Sequence, residues 1–226
     1  GTDSAEDGTN FRMKQSYLGG ELRGRPGAMT VFGAGMSYGN LTLENEIGTV
    51  PSIEEVFTGA TAPGLGDSPA YVHTVLSGGV DWRTSPGYAR RGGLYEVSYH
   101  NYADTDSTYS FDRLDAELVQ HFPVFRENWV VSLHGALQTT LDDDDVVPYF
   151  LLPSLGGGST LRGYSSWRFR DRHSLLMSAE WRWMPNRLGL DMALFYGTGK
   201  VTPRFDDISL ESLKSDVGVG IPFPCP

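Results

Sequence analysis

Apolar and polar residues alternate with a period of two over much of the chain. From Leu175 one face reads Leu175, Met177, Ala179, Trp181 and Trp183, and the other reads Leu176, Ser178, Glu180 and Arg182. Leu190, Met192, Leu194 and Tyr196 likewise alternate with Asp191, Ala193, Phe195 and Gly197, and Leu114, Ala116 and Leu118 alternate with Arg113, Asp115 and Glu117. Successive side chains of a strand point to opposite faces, so each segment predicts a strand with one apolar and one polar face. Alternation and flanking turn residues together predict about nine strands, near 9–24, 28–44, 70–84, 92–104, 107–122, 128–141, 172–184, 188–200 and 214–223. Several exceed the usual strand of about 5–6 residues and reach the ~9–11 that cross a bilayer at a tilt. The pattern alone admits two arrangements. A soluble β-sandwich binding module would bury the apolar face against a second sheet, whereas a membrane barrel would turn it to lipid and keep the charges in a wet lumen.

The connections favour the barrel. Pro123 to Asn128 and Met184 to Arg187 make tight returns, while 45–69 and 142–170 are long, polar and rich in glycine or acid. Compact soluble domains seldom carry two irregular loops beyond ~15 residues, and short turns at one end with long loops at the other are the habit of porin-like barrels. Trp181, Trp183, Tyr99 and Tyr102 close strands, with Trp82 and Trp129 near predicted ends. Such positions suit a membrane interface and equally suit ordinary core aromatics at strand ends.

Composition narrows the choice. A mean hydropathy of -0.28, with no apolar run near ~18 residues, excludes a transmembrane helix but not a barrel, whose alternating strands average out. The net charge of -10 and pI ≈ 4.9 argue against a nucleic-acid partner, which requires a basic footprint. Acidic loops are compatible with an outer leaflet of lipid and lipopolysaccharide whose head groups are bridged by divalent cations. Cys225 is the only cysteine, so an internal disulfide is impossible. Gly1 to Ser4 show no charged-then-apolar leader, and the expectation is a mature chain or a piece of an exported one.

Other chemistries find little support. Asp142 to Asp145 could gather a hard cation, but four consecutive acids without spacing or a glycine turn also describe a solvated loop. Gly156-Gly157-Gly158-Ser159-Thr160 lacks the Gly-Lys-Ser/Thr continuation of a phosphate cradle. His73, His100, His121, His134 and His173 fall on different strands, and no Gly-x-Ser-x-Gly elbow supplies a nucleophile. No enzymatic activity, cofactor or metal is expected.

One segment is distinctive. Leu155-Gly-Gly-Gly-Ser-Thr-Leu-Arg-Gly-Tyr164, with Phe169-Arg170-Asp171-Arg172 behind it, resembles the loop signature of the BamA/TamA outer-membrane assembly superfamily, also called the bacterial surface antigen family. The likeness extends over roughly 70–223. It takes in Asp81-Trp82-Arg83-Thr84-Ser85-Pro86 through Arg90-Arg91-Gly92-Gly93, Tyr109 to Arg113, Pro148 to Pro153, Ala179 to Trp183, Phe195 to Val201 and Ser215 to Ile221. The resemblance implies an all-β, antiparallel transmembrane barrel, here about nine strands of an expected sixteen, with 1–226 forming one partial barrel domain. It places the missing strands and periplasmic domains outside this chain. It also implies an outer-membrane protein that inserts or exports β-barrel or passenger polypeptides, with unfolded client proteins and accessory assembly lipoproteins as partners. An alternative is the barrel of a patatin-like phospholipase fusion, displaying or secreting an upstream enzyme.

In the family, the signature loop (about 142–171 here) folds back into the lumen. The resemblance makes Leu161, Arg162, Gly163 and Tyr164 the functional motif and Glu180 the partner of Arg162. An arginine carried into a narrow lumen needs carboxylate or backbone acceptors, and its planar fork can hold two at once. A second family carboxylate falls on Gly197, with Asp191 and Asp216 as the available substitutes. At the C-terminus, Pro222-Phe223-Pro224-Cys225-Pro226 stands where the family continues for two more strands and a terminal aromatic.

Overall fold

A computed structural model of the chain describes residues 11–45, 53–59, 62–125, 128–142, 146–183 and 191–221. The strands are β1 (Phe11–Gly24), β2 (Thr30–Asn45), β3 (Ala70–Asp81), β4 (Gly92–Asp104), β5 (Phe111–Pro123), β6 (Trp129–Thr140), β7 (Ser154–Leu155), β8 (Phe169–Arg170), β9 (His173–Trp183), β10 (Met192–Thr202) and β11 (Lys214–Gly220). Nine of them form one antiparallel sheet in the order β1-β2-β3-β4-β5-β6-β9-β10-β11, and β7 pairs with β8 in a separate ribbon. Each predicted strand is present, with shifted ends. β5 begins at Phe111 rather than near 107 because the Asp104 carboxylate accepts the backbone N–H groups of Thr108 and Tyr109, each at 3.1 Å. β3 ends at Asp81 rather than near 84 because that carboxylate takes both the backbone and the guanidinium of Arg83, at 3.2, 2.9 and 3.1 Å.

The register gathers like side chains on like faces. One row runs Ser77, Ser98, Asp115, Gln138, Ser174 across five strands, and the adjacent row on the opposite face runs Gly78, Val97, Ala116, Leu137, Leu175. The outer face exposes Phe32, Met36, Leu76, Val97, Leu118, Leu133, Leu194 and Val219. Among the described residues no second sheet covers them, because the β7–β8 ribbon lies on the inner face, packed against Leu176 and Val201. The described sheet is thus unlike a layer of a sandwich, which buries its apolar face. An apolar belt this extensive matches the lipid-facing band of a membrane barrel. At one rim Trp129 packs against Trp181 and Trp183, with ring centroids 5.1 and 6.2 Å apart. This indole cluster suits a membrane interface.

Connections 46–69, 105–110, 141–172 and 203–213 all leave from one end of the sheet, and 25–29, 82–91 and 124–128 from the other. The two long connections are not wholly irregular. The first carries the short helix α1 (Ile53–Val56), and the second carries a 3-10 turn at Tyr149–Leu151 and the β7–β8 ribbon. Their apolar residues cluster inside the long-loop end, where Ile53, Ala62, Val147, Tyr149 and Phe150 pack with Leu41, Tyr71 and Phe111 of the strands. β1 and β11 each have a single partner among the described residues, so the sheet is open. The connection beyond β3 nevertheless reaches across the inner face, where Tyr88 donates its hydroxyl to Asp191 before β10. The return at Met184 to Arg187, the acids Asp143 to Asp145 and the segment Pro222 to Pro226 lie outside the described residues.

Candidate functional site

The inner face of β9, β10 and β11 forms a shallow trough, and the signature loop lies in it. The trough exists because β10 and β11 present glycine where a side chain would point inward. A Cβ at Gly199 would sit 2.8 Å from Leu155 Cδ1, and one at Gly197 would sit 3.4 Å from Leu161 Cδ2. Leu155 and Leu161 fill the space and, with Phe169, Leu176 and Val201, make a dry cluster in which Leu161 is fully buried.

The loop is held in shape by its own backbone. Gly157 N–H lies 3.1 Å from the Leu161 carbonyl and 2.9 Å from that of Tyr164, and Thr160 Oγ1 accepts from Gly156 N–H at 2.8 Å. Gly156 adopts φ +115, and a Cβ there would meet the Ser165 carbonyl at 2.2 Å, so this position requires glycine. The ribbon pairing of Ser154 with Arg170 and Leu155 with Phe169 closes the base of the loop. Arg170 Nη1 then donates to the Tyr149 carbonyl at 2.8 Å.

The structure brings all five sequence-predicted residues into this trough. Arg162 Nη1 donates to Glu180 Oε2 at 3.1 Å, while its guanidinium carbon stands 4.4 Å above the Phe195 ring. Glu180 and Phe195 are cross-strand partners, so the fork lies over a carboxylate and an aromatic face presented side by side. The ring has room because the position beyond it on β11 is Gly218, where a Cβ would sit 2.5 Å from Phe195 Cζ. Gly163 donates its N–H to Asp216 Oδ2 at 2.7 Å, and the Tyr164 hydroxyl donates to the Ser215 carbonyl at 3.2 Å. Tyr164 also meets Phe169 edge-on at 4.9 Å. Phe195 and the glycine trough were not singled out from the sequence, and Asp216 entered there only as one of two possible substitutes for the family carboxylate. Their signal was the inward alternation of glycine in Phe195-Tyr-Gly-Thr-Gly199 and Asp216-Val-Gly-Val-Gly220, which acquires meaning only once the loop is known to lie there.

The side chain of Arg162 is 45% exposed and that of Glu180 24%. The pair is therefore partly solvated and contributes about 1 kcal/mol, with about 0.5–1 kcal/mol more from the Phe195 face. A fully desolvated pair would be expected to cost roughly 3–5 kcal/mol to break. Arg162→Ala is accordingly expected to speed tryptic cleavage after Arg168 about tenfold without unfolding the sheet. Cleavage at the wild-type rate would refute that contribution.

A second tether closes the opposite end of the inner face. Arg182 Nη2 donates to the Ala89 carbonyl at 3.0 Å and to Ser132 Oγ at 2.9 Å, and its Nε lies 3.6 Å from the other oxygen of Glu180. The connection 82–91 is thus drawn across from β3–β4 to β9. Asp191, one of the two candidate substitutes for the family carboxylate, is engaged here with Tyr88. Burial, followed by the hydrogen bond to Asp191, pushes the Tyr88 phenol up to about 12, so it remains a donor. Removing Arg182 leaves the Ala89 carbonyl without its charged donor, an interaction of about 1.5–3 kcal/mol. Arg182→Ala should make 82–91 cleavable by trypsin after Arg90, as read by mass spectrometry of the fragments, and an unchanged digest would refute the tether.

The other sequence candidates do not converge on this trough. His73 Nε2 and His100 Nδ1 are 3.0 Å apart with stacked rings, and His121 Nδ1 is 2.8 Å from Ser132 Oγ, a hydroxyl already accepting from Arg182. His134 lies 3.1 Å from Glu117. Asp142 accepts the Asp112 N–H at 2.7 Å, a contact at the end of the β5–β6 ladder. Among the described residues no group of three His, Cys, Asp or Glu side chains is arranged to hold a metal ion.

No family model matches the chain, and no curated protein matches it in sequence. Its fold, however, has a solved counterpart. The structure of BamA from Haemophilus ducreyi lacking POTRA domains 1-3 superposes with a TM-score of 0.71 at 13% identity, over 96% of this chain and 49% of that one. The fold is that of a BamA-type barrel. At this identity the likeness establishes the architecture alone, and this chain spans about half the length of that structure. In a closed barrel wall an exposed apolar face is the outer one, which leaves the loop-bearing face inside.

Proposed function

We propose that the chain is wall and lumen loop of an outer-membrane barrel that inserts or exports other polypeptides, and that it performs no covalent chemistry. The observation that carries this is the loop itself. A segment of more than twenty residues is folded back onto the inner face and tied to β9 through Arg162–Glu180 and to β11 through Gly163–Asp216 and Tyr164–Ser215. An internal brace of this kind leaves the pore partly filled, which suits a scaffold better than a simple diffusion channel. Strand-edge chemistry supplies the mechanism. A barrel wall that opens along one seam presents unpaired N–H and C=O groups, and an incoming strand satisfies them by β-augmentation. The braced loop would keep the remaining wall in register while the seam is open. Clients would be unfolded barrel or passenger chains, and the surroundings would be outer-membrane lipid and lipopolysaccharide.

The test is to remove the protein from its source cells and quantify the outer-membrane and surface proteomes. Selective loss of barrel or passenger proteins, restored by the wild type and not by a variant lacking 156–168, is the expected result. Unaltered proteomes would overturn the proposal. Loss confined to one surface-displayed lipid hydrolase would transfer the role to the phospholipase-linked barrel.

A further inference from the structure

We propose that Asp216, on β11, is the positioning residue that seats the signature loop, and that Gly197 is the space that lets it do so; this rests on the brace role proposed above. Three observations converge. Gly197 and Asp216 are direct partners in the β10–β11 ladder, so both point into the trough at the same level. Asp216 Oδ2 accepts the Gly163 N–H at 2.7 Å, next to the residue whose guanidinium reaches Glu180. A Cβ at Gly197 would lie 2.4 Å from Asp216 Oδ1 and one at Gly163 would lie 3.0 Å from Asp216 Cβ. Carboxylate and loop backbone are therefore in closest approach, with hydrogen in place of a side chain on both sides.

The chemistry of the contact explains the choice of groups. A carboxylate accepting a backbone N–H makes a charge-assisted bond, stronger than a neutral one. It is short and stiff, so it fixes the loop backbone at Gly163, whereas the long Arg162 side chain could follow a displaced loop and still reach Glu180. The two carboxylates thus divide the work. Glu180 on β9 holds the guanidinium, and Asp216 on β11 holds the backbone, so the loop spans β10 and clamps three strands together. Any side chain at 197 would rotate the Asp216 carboxylate off Gly163. A glycine at 197 and an aspartate at 216 are consequently one feature, a carboxylate moved one strand over.

The test uses the full protein in isolated membranes, with trypsin cleavage after Arg168 as the measure of loop release and heat-dependent gel migration as the measure of an intact barrel. Asp216→Ala should raise the cleavage rate about tenfold at unchanged gel migration, the size expected for losing one charge-assisted bond. Asp216→Asn keeps an acceptor oxygen without the charge and should fall between the wild type and Asp216→Ala. Gly197→Ala should release the loop as Asp216→Ala does, and combining the two should add little, because both break the same contact. If either single variant prevents barrel assembly, the exchange Gly197→Asp with Asp216→Gly decides the matter. Recovered protection supports the proposal, and an assembled barrel with a loose loop overturns it. Wild-type protection in Asp216→Ala also overturns it. Should Arg162→Ala as well as Asp216→Ala leave the loop protected, the brace reading itself falls; if only Asp216→Ala does, the brace stands and Asp216 is not part of it.

Discussion

Leu161→Asp is expected to eject the signature loop from the inner face. Leu161 has no exposed surface and is enclosed by Leu155, Phe169, Leu176 and Val201. Truncating such a residue to alanine costs about 2–5 kcal/mol through lost transfer free energy and the cavity left behind. Aspartate adds an uncompensated charge, worth several kcal/mol more in an apolar enclosure. The loop's polar ties cannot offset this, since the Arg162–Glu180 pair is half in solvent and Gly163–Asp216 is one hydrogen bond. Two outcomes follow. Protease sites throughout 156–168 should become accessible, and the strands should remain a sheet, because β9, β10 and β11 are held by their own ladders. Leu161→Met, which conserves volume, should behave as wild type. Limited proteolysis beside far-ultraviolet circular dichroism would decide it, and a protected loop in Leu161→Asp would show that the apolar cluster does not seat the loop.

Val97→Arg and Ser98→Arg, one residue apart on β4, should have opposite consequences. Val97 is on the outer face and exposed, within the row that includes Leu137 and Leu175. Placing arginine there in a bilayer costs about 2–4 kcal/mol near the midplane. Ser98 faces inward opposite Asp115 and lines a cavity of about 300 Å³ together with Glu96, Glu117 and Gln138. An arginine there meets carboxylates and water and should cost little. The comparison is read as the yield of heat-modifiable protein folded into lipid vesicles. Equal yields would show that the outer face does not meet lipid, because in water an exposed Val97→Arg is harmless.

Most of the wall was legible in the sequence for a local reason. Alternation with period two reports which face a residue occupies, and the assignment of Glu180 and Arg182 opposite Trp181 and Trp183 needs no knowledge of neighbours. Strand ends were less legible. β3 stops at Asp81 and β5 starts at Phe111 because single carboxylates capture nearby N–H groups, and alternation carries no trace of such captures. Arg162 and Glu180 were paired through a family resemblance, and their distance depends on a loop whose path has no period at all. Asp216 remained one of two candidates for the same reason. Asp191 is the nearer to Gly197 in sequence, but it lies just before β10 and is committed to Tyr88, whereas Asp216 meets Gly197 across the β10–β11 ladder.

The sequence by itself determined the strands, their two faces, the end from which the long loops leave and the absence of a helical membrane span. Each of these depends on interactions within a few residues or on alternation along one strand. Only the tertiary structure decided that no second sheet covers the apolar face among the described residues, that Leu161 is the buried anchor of the loop, and that Asp216 rather than Asp191 meets Gly163. Those outcomes depend on contacts between residues far apart in the chain, 53 positions for Gly163 with Asp216 and 103 for Tyr88 with Asp191. The ladder of the sheet sets such contacts, because strand register brings a glycine beside a carboxylate and so opens the space into which the loop folds.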